Sequence, residues 1–199
     1  MKLAKTLLIG LATISLVACS GYGKEVSRKE FVEEAQKCEK DNFTKAVLSY
    51  SLVEKTSGYK SMGLDDENID LKGELKFSLQ NGEFTLDANQ NVPEELEGIS
   101  EELNVRIQDA ITDIPAEGSE AAKYYKFHTG PLGISFSASQ SGSTDGGSGT
   151  TKISGYMEFE KHGLLVKMTS NISSSYTVKT DKTYKLSTSE KTSYTVTYQ

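Results

Sequence analysis

The sequence predicts an α+β domain in which a curled, antiparallel, half-open barrel-like sheet carries one N-terminal helix and one long amphipathic helix on its apolar concave face. Three observations carry that prediction. Alternating apolar and polar residues recur in short runs joined by turn signals, as in half-buried strands. An Asn-Gly pair sits between two such runs. One long segment changes to helical spacing and needs an apolar face to lie on.

The chain opens with Lys2 and Lys5, then the apolar run TLLIGLATISLV, which has the charge and length of an export leader over residues 1–18. A spanning helix needs about 20 apolar residues, and polar Ser20 and charged Lys24 follow without a stop-transfer pattern. Residues 19–26 then form a glycine-containing tether, with Gly21 and Gly23, before a single extracytoplasmic domain over residues 27–199.

Its first element is a helix from Ser27 to Lys40, with Ser27 as N-cap, Glu30 completing a capping box, and Phe31, Ala35 and Cys38 along one face. Cys38 packs there as a small apolar residue. KAVLSYSLVEK follows as a strand with Ala46, Leu48, Tyr50 and Leu52 on one side. Asn81-Gly82 closes a hairpin that pairs Leu79 with Phe84, Phe77 with Leu86 and Leu75 with Ala88.

The second helix runs through VPEELEGISEELNVRIQDAITDIP between Pro93 and Pro115, with Leu96, Ile99, Leu103, Ile107, Ile111 and Ile114 as one stripe. Gly98 costs about 1 kcal/mol there and marks a bend or a later start. Strands resume at KYYKFHTG and LGISFSAS, and QSGSTDGGSGTTK reads as a mobile Gly/Ser loop. A hairpin about His162-Gly163 aligns Phe159 with Val166, Met157 with Met168 and Glu158 with Lys167, and alternating Ser, Thr, Tyr and Lys strands complete the chain.

Charge narrows the function classes. The 199-residue chain has a net charge of −6, and without Lys2 and Lys5 it holds 20 basic against 28 acidic residues, net −8. Nucleic acid is therefore not an expected partner, because no basic patch is present to meet a phosphate backbone.

Chemistry is sparse. His128 and His162 fall at a strand end and a turn, GISFS around Ser135 lacks the second glycine of a nucleophile elbow, and no enzymatic activity or cofactor is expected. Asp66, Asn68 and Asp70 alternate like the opening ligands of a calcium loop, but Leu71 stands where the glycine belongs and Phe77 where the closing glutamate belongs, so no metal site is assigned. Tyr176, Tyr184, Tyr194 and Tyr198 alternate late in the chain; amphipathic rings suit a ligand cavity wall and suit equally a thin, half-exposed sheet end.

Residues LVAC, Leu16–Cys19, resemble the lipobox of bacterial lipoprotein precursors, with small Ala18 before the cut and Cys19 after it. The resemblance implies acylation of Cys19, with palmitate or similar chains, and a lipid anchor in the cell membrane or the outer membrane with the domain facing away from the cytoplasm. Several acyl chains on one residue hold durably where one holds marginally. The element order also resembles, in outline only, the periplasmic lipoprotein carriers and related acyl-lipid-binding lipoproteins. That likeness implies an apolar ligand such as a lipid or acyl chain. The alternative is a structural or protein-interaction lipoprotein with a filled core, and volume separates the two.

Overall fold

The computed structural model describes residues 22–40 and 42–199. Leu16–Cys19 and the proposed leader lie outside the described residues. Nine antiparallel strands form one sheet: β1 (Lys24–Val26), β2 (Lys45–Ser57), β3 (Asn68–Gln80), β4 (Glu83–Leu86), β5 (Tyr125–Thr129), β6 (Leu132–Thr144), β7 (Gly147–Phe159), β8 (Leu165–Lys179) and β9 (Thr183–Tyr198). Their order is β1-β5-β6-β7-β8-β9-β2-β3-β4. The helices are α1 (Arg28–Ala35), α2 (Ile99–Leu103) and α3 (Ile107–Asp113).

Two expectations are corrected. The sheet is not a curled half-barrel: β1 and β4 stand at opposite borders and do not pair, so it is open. The long amphipathic helix does not exist either, because its segment breaks into a 3-10 turn at Glu94–Leu96, α2 and α3. Gly98 takes φ +87°, a left-handed conformation that ends the first piece. The second break has a tertiary cause. Arg106 forms a bridge to Leu164 and the Ile107 amide donates to the Gly163 carbonyl at 2.8 Å, so the chain here is recruited by the β7–β8 turn. None of the helices is long and apolar enough to cross a membrane, among the described residues.

The apolar stripe nevertheless survives the breaks, divided between two cores. Leu96, Ile99 and Leu103 pack with Ala46, Leu48, Leu75, Phe77, Phe84 and Val196. Ile107 and Ile114 pack with Phe31, Ala35, Phe127, Ile134, Phe159 and Leu165, and Met168 touches both groups. α1 begins at the expected capping box: the Glu30 amide donates to Ser27 Oγ at 3.2 Å and the Ser27 amide donates to Glu30 Oε2 at 2.9 Å. It is shorter than expected and ends at Ala35, leaving Cys38 half-buried against the second core.

The Asn81-Gly82 turn has positive φ at both residues, 54° and 87°, as a type I′ turn requires, and pairs Leu79 with Phe84 and Phe77 with Leu86. β4 stops at Leu86, so Leu75 has no Ala88 partner in the ladder. Met157 meets Met168 and Glu158 meets Lys167 as expected, but an irregularity after Glu158 places Phe159 opposite Leu165 rather than Val166.

Lys24–Val26, read from the sequence as the end of a tether, is strand β1 and pairs with β5. QSGSTDGGSGTTK is a second departure from a loop reading. It forms the ends of β6 and β7 in unbroken register from Gln140↔Thr151 to Thr144↔Gly147.

Aromatic side chains compensate for glycines inside these strands. Across neighbouring strands, Tyr50 covers Gly73, Tyr156 covers Gly133, Phe136 covers Gly155 and Tyr176 covers Gly149, each ring occupying space that a Cβ would claim.

Antiparallel pairing gives the sheet two ends. The β3–β4, β5–β6 and β7–β8 turns lie at one, here the basal end; the β2–β3, β6–β7 and β8–β9 connections lie at the other, the distal end. β7, with 13 residues, spans about 40 Å between them. α1 and α3 lie against each other at the β5–β6 side, and α2 lies against β4.

Candidate functional site

Among the described residues the distal end leaves two large open grooves, and a smaller pocket of about 130 Å³ lies beside Arg28, Ile114, Pro115 and Phe127. A groove of about 690 Å³ is lined by residues including Ser57, Ser141, Thr150, Ser175 and Ser187. These five are register neighbours on successive strands, so they form one hydroxyl row across β6, β7, β8, β9 and β2. Ser141 and Thr150 hydrogen-bond at 2.9 Å, and Ser57 and Ser187 at 2.8 Å. Serine and threonine can each donate and accept, which lets such a row satisfy itself or exchange its partners for a ligand's hydroxyls.

A second groove, of about 610 Å³, opens at the same tip on the other face and includes Gln140, Gly142, Gly149, Thr151, Tyr176 and Val178. Gly142 and Gly149 are cross-strand partners, and Gly149 is in turn paired with Tyr176. The Tyr176 ring leans over Gly149, where its Cδ1 would stand 2.7 Å from an added Cβ. Nothing lies within 4 Å of the corresponding position at Gly142. Tyr176 remains 39% exposed although its neighbour Leu186 is buried. Its hydroxyl meets Thr151 Oγ1 at 3.5 Å, and Thr151 bonds Ser174 at 3.0 Å. Hydrogen bonds from Ser174 and Thr151 hold the phenol below its ordinary pKa, against a smaller opposing effect of burial.

The four tyrosines singled out from the sequence therefore separate. Tyr176 flanks the tip groove, and half-buried Tyr184 lies opposite Val178 beside it. Tyr194 is 6% exposed and belongs to the first core. Tyr198 packs against the same core beside Phe43 and Phe84 and donates its hydroxyl to the Leu165 carbonyl at 2.9 Å. Cys19 lies outside the described residues.

The structure brings together one pair that the sequence left unconnected. His128 Nε2 and Ser135 Oγ are 2.9 Å apart on adjacent strands, both buried. Tyr22 stacks on Tyr156 with ring centroids 3.8 Å apart and meets His128 edge-on. Burial pushes the His128 pKa down, with Glu25 acting in the opposite direction. Burial, then the charge of Glu158, pushes the Tyr156 phenol up to about 12.

A hydrolytic serine needs a base that is itself oriented and a path for substrate. Among the described residues no carboxylate orients His128, whose ring is steered only by the backbone of Tyr22 and Gly23, and the Tyr22 ring covers the pair. The Tyr22–Tyr156 stack and the β1–β5 ladder hold residues 22–26 to the sheet beside this pair. Register could have hinted at it, since His128 pairs with Gly133, two residues from Ser135.

The remaining sequence candidates have structural occupations. Asp66 Oδ1 accepts from the Tyr59 amide at 2.8 Å, and Asp70 pairs with Lys72 at 3.2 Å. His162 bonds Glu160 through Nδ1 in the β7–β8 turn, edge-on to Phe43. Burial, then the charge of Glu160, raises the Cys38 thiol pKa, which disfavours the reactive thiolate.

Comparison with protein-family models, with curated proteins and with solved structures finds no match. Function must be argued from the geometry alone.

Proposed function

We propose that this chain is a bacterial envelope lipoprotein, anchored in a membrane through acylated Cys19, whose extracytoplasmic domain is a non-enzymatic interaction module with a filled core. The observation that carries the choice between a lipid carrier and an interaction module is the close burial of the large apolar side chains, with the pocket beside Ile114, Pro115 and Phe127, at about 130 Å³, well below the size of an ordinary ligand site. Leu75, Phe77, Phe84 and Phe159 are each 2% exposed or less, and the helix stripe closes over them at Leu96, Leu103 and Ile107. An acyl chain would need an apolar cavity, whereas both large distal grooves are bordered mainly by hydroxyls and glycines.

The position of β1 supports the anchoring half of the reading. Lys24 pairs with Thr129 beside the β5–β6 turn, so the described chain begins at the basal end. Tyr22 is packed on the sheet three residues after Cys19, a reach of at most about 10 Å. A bilayer-held Cys19 would keep the basal end near the surface and turn the distal grooves outward.

Labelling with an alkyne palmitate analogue, with membrane fractionation, tests the anchor. Wild type should be labelled and sediment with membranes, while Cys19→Ala should be unlabelled and released. Equal labelling of the two refutes the anchoring. Uptake of a fluorescent fatty acid by the detergent-free domain would refute the filled-core half separately.

A further inference from the structure

We infer that the tip groove beside Tyr176 is a binding site for a neutral saccharide. The argument begins with the aromatic ring. Tyr176 rests against the Gly149 backbone and yet leaves 39% of its surface to solvent at a position flanked by the exposed sheet tip. The cross-strand Gly142 extends this shelf, with nothing within 4 Å above its Cα. A ring backed by glycine and bordered by open floor offers a flat apolar surface about one sugar ring wide.

The rim supplies the complementary chemistry. Thr151, Gln140 and the Tyr176 hydroxyl border the shelf, and all are neutral groups that both donate and accept. Among the described residues, no carboxylate, ammonium or guanidinium borders this groove. A charged ligand would have no counter-charge there, and a purely apolar one would strip water from the hydroxyls without replacing their hydrogen bonds. A sugar presents an apolar C–H face and a ring of equatorial hydroxyls, so it satisfies both surfaces together. The groove, at about 610 Å³, is shallow and open, so an oligosaccharide would lie along it with one face on the shelf rather than be enclosed. A peptide cannot add as another strand here, because β6, β7 and β8 are already paired to each other in unbroken register.

The inference stands apart from the anchoring proposal, since it concerns the groove whether or not Cys19 is acylated. It is tested on the full chain in micelles of a detergent without a sugar headgroup by saturation-transfer NMR with three neutral probes: maltotriose, cellotriose and N,N′,N″-triacetylchitotriose. At least one should bind at millimolar concentration. Tyr176→Ala should weaken that binding by about tenfold or more, while Tyr176→Phe should largely retain it.

Gly142→Val serves as the second variant. Its Cβ meets nothing within 4 Å, and its side chain would occupy the shelf and should abolish binding. Thermal midpoints of the variants close to that of wild type establish that the sheet is intact. Failure of all three sugars to bind, binding of peptides alone, or a signal unchanged in both Tyr176→Ala and Gly142→Val overturns the inference.

Discussion

Asn104 replaces a missing strand, and its removal should cost more than that of an ordinary surface amide. Its Oδ1 accepts from the Phe84 amide at 2.8 Å while Nδ2 donates to the Phe84 carbonyl at 3.0 Å, the pattern of a neighbouring strand. The same Nδ2 donates to the Ser100 carbonyl at 2.8 Å, tying the end of α2 to the edge strand β4. Asn104→Ala removes three part-buried hydrogen bonds worth about 0.5–1.5 kcal/mol each, and the middle of that range gives about 3 kcal/mol. For a domain of this size that corresponds to a fall of about 6–12 °C in Tm. Urea unfolding followed by circular dichroism reads the free energy directly, with an unchanged slope expected. Asn104→Asp keeps the acceptor but turns a carboxylate toward the Phe84 carbonyl, so it should be no better than alanine. A loss below about 0.5 kcal/mol for Asn104→Ala would refute the strand-replacement argument.

Two further outcomes concern strands β5 and β6. Gly133→Ala should destabilise by about 1–3 kcal/mol in the same assay, because its Cβ would stand 2.6 Å from Tyr156 Cε2 and the stacked Tyr22 gives that ring little room to withdraw. Gly142→Ala, with open space above it, should stay within about 0.5 kcal/mol of wild type. Equal effects would show that the tyrosine covering is inconsequential. His128 supplies a pH dependence: its folded pKa lies below the ordinary imidazole value, so its contribution is complete above that value and is lost as pH falls through it toward the folded pKa. Unfolding free energy should therefore decline between pH 7.5 and 5.5, about the range over which an unperturbed imidazole titrates, and His128→Gln should flatten the decline. An unchanged slope in that variant would remove His128 as its source.

Local signals in the sequence were legible where one residue type has one conformational use. Ser27 with Glu30 fixed the start of α1, and Asn81-Gly82 fixed a turn and two side-chain pairs. The stripe from Leu96 to Ile114 correctly marked burial but not continuity. Periodicity reports which side chains face the core, whereas the break at Arg106 comes from a bridge to Leu164, 58 positions away. The tip of the β6–β7 hairpin was hidden for a different reason. Ser, Thr and Gly look alike in a loop and in a strand whose partners are also Ser, Thr and Gly, and only the register with β8 distinguishes them. That concealment extended to the candidate site. Tyr176 and Tyr194 share an alternating pattern, yet one stands over a glycine at an open tip and the other under the helices. The Tyr22 stack was obscured by the glycines around it, which suggested a loose segment.

The place of β9 in the sheet has a consequence for assembly. It follows every other strand in the chain, yet lies between β8 and β2, so two blocks, β2-β3-β4 and β1-β5-β6-β7-β8, share no ladder until it arrives. Each waits with a long, unsatisfied backbone border, which is a template for wrong partners. The folding chain has to be kept from premature association until these sixteen residues slide into place as a keystone and make two sheets one.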